Sequence, residues 1–320
     1  MSTPYIPSLD LGSYVNGNEE QRKKFSDELG RAFNDSGFVT ITNHGLSQDL
    51  IDKLYKNIQA MFSLSPQQKQ QYERAELAGQ RGYTSPGKET AKGAKTADLK
   101  EFWQIGQVVT DGDPIKSDYP DNEFVTEIPE FNEVTREIYQ RLEGNGKHLL
   151  RAIATYLTLP VDYFDQYVHN GNSILRGIHY FPIEDPNALS DDAVRAGAHE
   201  DINLITLLIG ASADGLEVLT RSNEWLPIKA GHTDIVVNVG DMLQRLTNNK
   251  LRSTTHRVVN PPRELMKTSR YSVPFFLHPR MSMDLTSLDS CIDAEHPKVY
   301  EDMTAGEYLD ERLREIGLKK

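Results

Sequence analysis

The chain has 320 residues and a mass of 36.2 kDa; it is 38% hydrophobic and 26% charged with no low-complexity tract, which excludes a disordered or fibrous protein and allows a substantial core. A net charge of −12 argues against a broad nucleic-acid footprint, so small molecules or other proteins are the expected partners. Apolar runs such as ITLLIG are too short to cross a bilayer, MSTPYIPSLDLG has no secretory pattern, and Cys291 is the single cysteine. A cytoplasmic protein without membrane span, disulfide or thiolate metal cluster is expected.

In chain order, NEEQRKKFSDELGRAFNDSG spaces Phe25, Leu29 and Phe33 four apart and stops at Gly37, which predicts a helix. GFVTITN, residues 37–43, reads as a strand. Ser47 is a fitting N-cap for a second helix with Ile51, Leu54, Tyr55, Ile58 and Phe62 on one face. Residues 76–127 are polar and rich in Gly, Pro, Lys and Asp apart from the patch EFWQIGQVV, the composition of a lid or binding loop. Val134, Ile138, Leu142, Leu149, Ile153 and Leu157 form a helical face over 130–160, with Gly144 and Gly146 as places for a kink.

After residue 172 the character changes. SILRGIHYF, NLITLLIG, GLEVL, EWLPI, DIVVNVG, HRVVN and RYSVPFFLH are short strands separated by turns, the pattern of an antiparallel sandwich or barrel over 172–285. The last stretch, residues 300–320, predicts a helix with Tyr308, Leu309, Leu313 and Ile316 inward. No repeat or linker divides the chain. One domain over 1–320 is expected, mainly β with flanking helices (α+β), with a mixed α/β region in 1–130.

Two His-x-Asp pairs precede apolar stretches. On a strand that spacing puts imidazole and carboxylate on one face. His232–Asp234 follows a Gly turn and reads as exposed connection, with Asp234 bonding local backbone. His199–Asp201 opens the most apolar strand, where an unpaired charge would be costly. STTHRVVN supplies His256 on another strand, and two histidines with one carboxylate make a facial set that leaves coordination positions open. A structural His–Asp hydrogen bond is the plain alternative. SRYSVPFF places Arg270 and Ser272 two apart, a guanidinium and a hydroxyl able to grip a carboxylate.

At these residues the sequence resembles the iron(II)- and 2-oxoglutarate-dependent dioxygenases, in the branch that includes isopenicillin N synthase. GFVTITNHGL, RGYTSPGKE and DLKEFWQIG resemble its N-terminal half. GAHEDINLITLL, VVNVGDMLQRLTNNKLRSTTHRVVNPP and SRYSVPFF resemble its catalytic half in order and spacing. The resemblance implies a double-stranded β-helix (jelly-roll) core, with Fe(II) held by His199, Asp201 and His256. It also implies 2-oxoglutarate as cosubstrate, its distal carboxylate on Arg270 and Ser272, and O₂ as oxidant. Succinate and CO₂ would be released while a small molecule is hydroxylated, desaturated or cyclised.

Tyr180 in GIHYFP is the candidate third contact to the cosubstrate, although alignment on Pro182 places Phe181 there instead; His179 would point to the other face. Tyr83, Phe102, Trp103, Leu208 and Phe276 are candidates for the substrate wall, with ordinary core the favoured reading of each. The same branch contains oxidases that use no 2-oxoglutarate, and a non-catalytic jelly-roll binding protein is a third reading.

Overall fold

The protein is described by a computed structural model covering residues 5–77, 79–88, 100–183, 195–212 and 214–315. The N-terminal part runs β1 (Ser8–Asp10), α1 (Leu11–Val15), α2 (Glu19–Asp35), β2 (Phe38–Thr42), α3 (Gln48–Phe62), α4 (Pro66–Gln70), β3 (Gly82–Thr84) and β4 (Lys100–Gly106). Next come α5 (Phe131–Tyr156), α6 (Asp165–Val168), β5 (Ile174–Tyr180), β6 (Ala196–His199), β7 (Ile205–Ile209), β8 (Leu216–Leu219) and β9 (Trp225–Pro227). The chain continues through β10 (Ile235–Val239), α7 (Asp241–Leu246), β11 (His256–Val258), β12 (Arg270–Ser272), β13 (Pro274–Leu277) and α8 (Ala305–Glu315).

Local chemistry sets the helix ends. Asn18 and Gln21 form a reciprocal capping box on α2, and Ser47 accepts a hydrogen bond from the Leu50 amide to start α3. Gly37 ends α2 at φ +74°, where an added Cβ would also sit 2.3 Å from the Arg252 carbonyl oxygen. The expected kink in α5 is absent: the helix is continuous for 26 residues. Gly146 serves packing instead, since a Cβ there would lie 2.1 Å from Leu277 Cδ1 of β13.

Two sheets form the jelly roll. The larger has the order β1-β2-β10-β7-β13-β5-β4-β3, with β12 also bonded to β5; the smaller is β6-β11-β8-β9. Strand alternation explains why β7 and β10 are apolar on both faces except at Thr206 and Asn238. Ile205, Leu207, Ile209, Ile235, Val237 and Val239 belong to the main core shared with the helices, while Val236 meets Leu216 and Val218 of the smaller sheet. Both faces are covered, so both parities are apolar.

The structure corrects two expectations. Residues 100–106, read as part of a lid or loop, are strand β4, paired with β5 from Lys100↔Tyr180 to Gly106↔Ile174. His199 and Asp201 do not share a strand: β6 ends at His199, Asp201 lies in the following turn, and β7 starts only at Ile205. Tyr308, Leu309 and Leu313 are buried on α8 as expected, whereas Ile316 lies outside the described residues.

Candidate active site

Antiparallel pairing of β6 and β11 sets His199 directly opposite His256, with ring centres 4.5 Å apart. The turn after β6 brings Asp201 under both: its Oδ1 is 3.9 Å from each Nε2. One donor atom from each of the three lies within 4.8 Å of the others, a span one cation can bridge with small side-chain adjustment.

The surroundings select the right atoms. His199 Nδ1 donates to the Gly197 carbonyl at 2.8 Å and His256 Nδ1 to the Thr254 carbonyl at 3.0 Å. A carbonyl only accepts, so each Nδ1 carries a hydrogen, and each Nε2 is the nitrogen turned toward Asp201. Asp201 Oδ2 accepts from Thr206 Oγ1 at 2.6 Å and Asn238 Nδ2 at 2.8 Å, which leaves Oδ1 facing the imidazoles. Burial would raise the Asp201 carboxyl, but the two imidazoles and the two donors outweigh it and hold it below the usual range. Burial, then the neighbouring His256, lowers His199 and favours its neutral, ligating form. Two imidazole nitrogens and one carboxylate suit a ferrous ion and leave room for other ligands.

These three residues open on a cavity of about 520 Å³. Ser272 and Tyr180 line it, together with Leu208, Leu216 and Val258. Arg270 pairs with Tyr180 across β12 and β5 and stands off the wall itself, its Cζ 5.3 Å from the Tyr180 ring centre. Arg270 Nη2 donates to the carbonyls of Ser212 (2.5 Å) and Asp214 (3.1 Å), while its Nη1 is buried without a partner among the described residues. Arg195, absent from the sequence-based set, adds a second guanidinium there, lowered by burial and then by Arg270. A buried donor lacking an acceptor beside a second cation is a place for an anion. Phe181 packs on His179 and is not among the residues that line the cavity, whereas Tyr180 is.

The cavity is further lined by Ile174, Ile178, Phe276, Leu309 and Leu313, and by Gln104, Arg176 and His278. Gln104 Oε1 holds Arg176 Nε at 2.9 Å, and the guanidinium lies 4.4 Å from the Phe102 ring centre and 5.4 Å from that of Phe276. Burial pushes the His278 imidazole down to about 4, against the opposing pull of Asp201. Of the five substrate-wall candidates, Leu208 and Phe276 line the cavity. The other three do not. Trp103 is fully buried between Tyr72 and Phe131, Tyr83 bonds Glu101 on the far face of β4, and Phe102 only backs Arg176. Arg176 and His278 were missed, although a lone Arg inside ILRGIHYF is a visible anomaly in an otherwise apolar strand.

His232–Asp234 is a surface turn, as expected. Asp234 Oδ2 accepts from the Gly231 amide at 2.7 Å, and His232 faces Asp52 at 3.6 Å with both side chains more than half exposed.

Residues 171–279 match the model of the 2OG-Fe(II) oxygenase superfamily, and residues 6–127 match that of the N-terminal region of non-haem dioxygenases of morphine synthesis. Proline hydroxylase buaE of Petromyces alliaceus is 33% identical over 322 residues, covering 96% of this chain and 98% of that protein. Among solved structures, a 2OG-Fe(II) oxygenase family protein from Caulobacter crescentus is 44% identical with a TM-score of 0.87, over 98% of this chain and 100% of that one. A full-length Neurospora crassa protein crystallised in complex with alpha-KG is 27% identical with a TM-score of 0.85, over 97% and 96% of the two chains.

The chain belongs to the 2OG-Fe(II) oxygenase superfamily, in its isopenicillin N synthase-like branch. It is an Fe(II)- and 2-oxoglutarate-dependent dioxygenase that oxidises a small molecule. Among the described residues no helix is long and apolar enough to cross a membrane.

Proposed function

We propose that His199, Asp201 and His256 hold the Fe(II), that Arg270, Ser272 and Tyr180 hold 2-oxoglutarate, and that the Arg176–His278 side of the cavity receives the substrate. The observation that carries this is the convergence of three donor atoms within 4.8 Å, each oriented by its own partner, at the wall of the cavity that Ser272 and Tyr180 share. The metal and cosubstrate supply the oxidation of a C–H bond at the expense of O₂, with 2-oxoglutarate going to succinate and CO₂. The protein's residues do the rest. Thr206 and Asn238 fix the carboxylate, Gly197 and Thr254 fix the imidazole tautomers, and the Ile174–Phe276–Leu313 wall excludes water.

Arg270 Nη1 is buried without an acceptor among the described residues, beside the Tyr180 ring, and a cosubstrate carboxylate would supply that acceptor. The substrate side combines an apolar wall with a guanidinium, an amide and a neutral imidazole, which suits a small molecule bearing a polar group. Proline, in the name of the relative buaE, and thymine, in a complex of the Neurospora crassa protein, are molecules of that kind. A cytoplasmic, single-domain protein remains our reading of the whole chain.

The test is spectroscopic. Anaerobic Fe(II) with 2-oxoglutarate should give a visible charge-transfer band in the intact protein and none in Asp201→Ala. Absence of the band in the intact protein would rule the assignment out. Screening small metabolites for stimulated succinate release then narrows the substrate and the choice among hydroxylation, desaturation and cyclisation.

A further inference from the structure

β12 is three residues long and, among the described residues, pairs with β5 alone, yet it carries both Arg270 and Ser272. So short a strand does not aim a long guanidinium by itself. The guanidinium is aimed by the 3₁₀ turn Gly210–Ser212, whose Ser212 carbonyl accepts from Arg270 Nη2 at 2.5 Å. The Ser212 hydroxyl in turn accepts from the Val273 amide at 3.2 Å, at the junction of β12 and β13, and shares a short hydrogen bond with the Tyr55 hydroxyl of α3. On the turn's other side, the Gly210 amide donates to the Asp234 carbonyl at 2.6 Å. An added Cβ at Gly210 would lie 2.0 Å from the Gly231 carbonyl oxygen.

From this geometry we infer that Tyr55, acting through Ser212, is a positioning residue for Arg270 and sets the affinity for 2-oxoglutarate. This rests on the assignment of Arg270 to the cosubstrate made above. Tyr55 is not among the residues that line the cavity. It lies on α3, and its effect passes through one residue, Ser212, whose hydroxyl meets Tyr55 and whose backbone carbonyl accepts from the guanidinium. With Nη2 tied to two carbonyls, Nη1 is the edge left to meet a carboxylate, and a bidentate or in-line contact tolerates little rotation. Burial pushes the Tyr55 hydroxyl up to about 12, against the Ser212 hydrogen bond and the Arg270 charge. It remains a neutral partner, with no ion pair competing for the guanidinium.

The experiment compares Tyr55→Phe, Ser212→Ala and Arg270→Lys in the iron-loaded protein. Each is titrated anaerobically with 2-oxoglutarate, the visible band is followed, and Tm is recorded alongside. Losing one hydrogen bond that orients a charged group should raise the Kd for 2-oxoglutarate about five- to tenfold in Tyr55→Phe. Ser212→Ala should match or exceed that, and Arg270→Lys should give the largest loss. In turnover, the Tyr55→Phe loss should fall on KM for 2-oxoglutarate rather than on kcat.

If both Tyr55→Phe and Ser212→Ala titrate like the parent while Arg270→Lys does not, the inference is wrong and the assignment of Arg270 stands. A lowered Tm with unchanged Kd overturns it in the same way, because it marks a purely structural role. If Arg270→Lys also binds normally, the assignment of Arg270 itself fails, and with it the inference.

Discussion

Two stretches of this molecule have the same local pattern, His-x-Asp before an apolar strand, and different fates. At 199–201 the second histidine stands across a strand pair, the carboxylate is 8% exposed, and three backbone or side-chain partners decide which atom faces which. At 232–234 the histidine side chain is 57% exposed, the carboxylate caps its own turn, and no third ligand approaches among the described residues. Spacing supplies two of the donors. Burial, strand register and the hydrogen bonds behind the ligands make a site of them.

The comparison can be broken from its stronger side. Removing the carboxylate in Asp201→Ala should abolish tight Fe(II) binding and substrate-dependent succinate release together, because two imidazoles alone leave the ion half held. Iron uptake measured by calorimetry checks it. Taking away only the support is the finer cut. Asn238→Leu or Thr206→Val leaves all three ligands present and frees Asp201 Oδ2 to rotate, which should weaken Fe(II) binding by about 10- to 100-fold. Equal affinity in these variants would mean that the carboxylate is fixed by packing rather than by its donors.

Much of this was legible in the sequence, for physical reasons. Short strands punctuated by turns pointed to the sandwich, and periodic apolar faces to α2, α3 and α5. The ordered set His199, Asp201, His256, Arg270 and Ser272 pointed to the family. What stayed hidden depends on register. In EFWQIG both faces are buried, so composition does not tell that Gln104 reaches the cavity while Trp103 turns to the helices. Tyr55 read as one more residue of a helical face, and only the fold brings Ser212, 157 residues later, to its hydroxyl. His278 carries no local signal at all; it follows the end of β13, which delivers it to the cavity wall.

That histidine gives a pH prediction on the substrate side. Its folded pKa of about 4 lies below the ordinary imidazole value, so the unfolded chain takes up a proton between about 6.5 and 4 that the folded chain refuses. Stability should therefore fall as pH is lowered through that window and be unaffected by this group above it, by up to about 3 kcal/mol. In His278→Phe the acid-side fall should shrink by that amount relative to the parent. Denaturant titrations at pH 7 and pH 4.5 measure it, and parallel curves for the two proteins would show that His278 takes up its proton freely when folded.

The weakest effects belong to the other pair, and their smallness is the point. His232→Ala removes an exposed 3.6 Å ion pair with Asp52, an interaction of about 0.5 kcal/mol or less once solvent screening is counted. Asp234→Ala removes one hydrogen bond to the Gly231 amide, worth about 1 kcal/mol or less in an exposed turn. It leaves intact the Asp234 carbonyl that accepts from Gly210. Neither variant should alter Fe(II) affinity. Because the turn abuts the segment that aims Arg270, 2-oxoglutarate titration of Asp234→Ala is the sharper measurement. An unchanged Kd there would show that the turn acts on Gly210 through its backbone alone, and a raised Kd would make this carboxylate part of the same support as Tyr55.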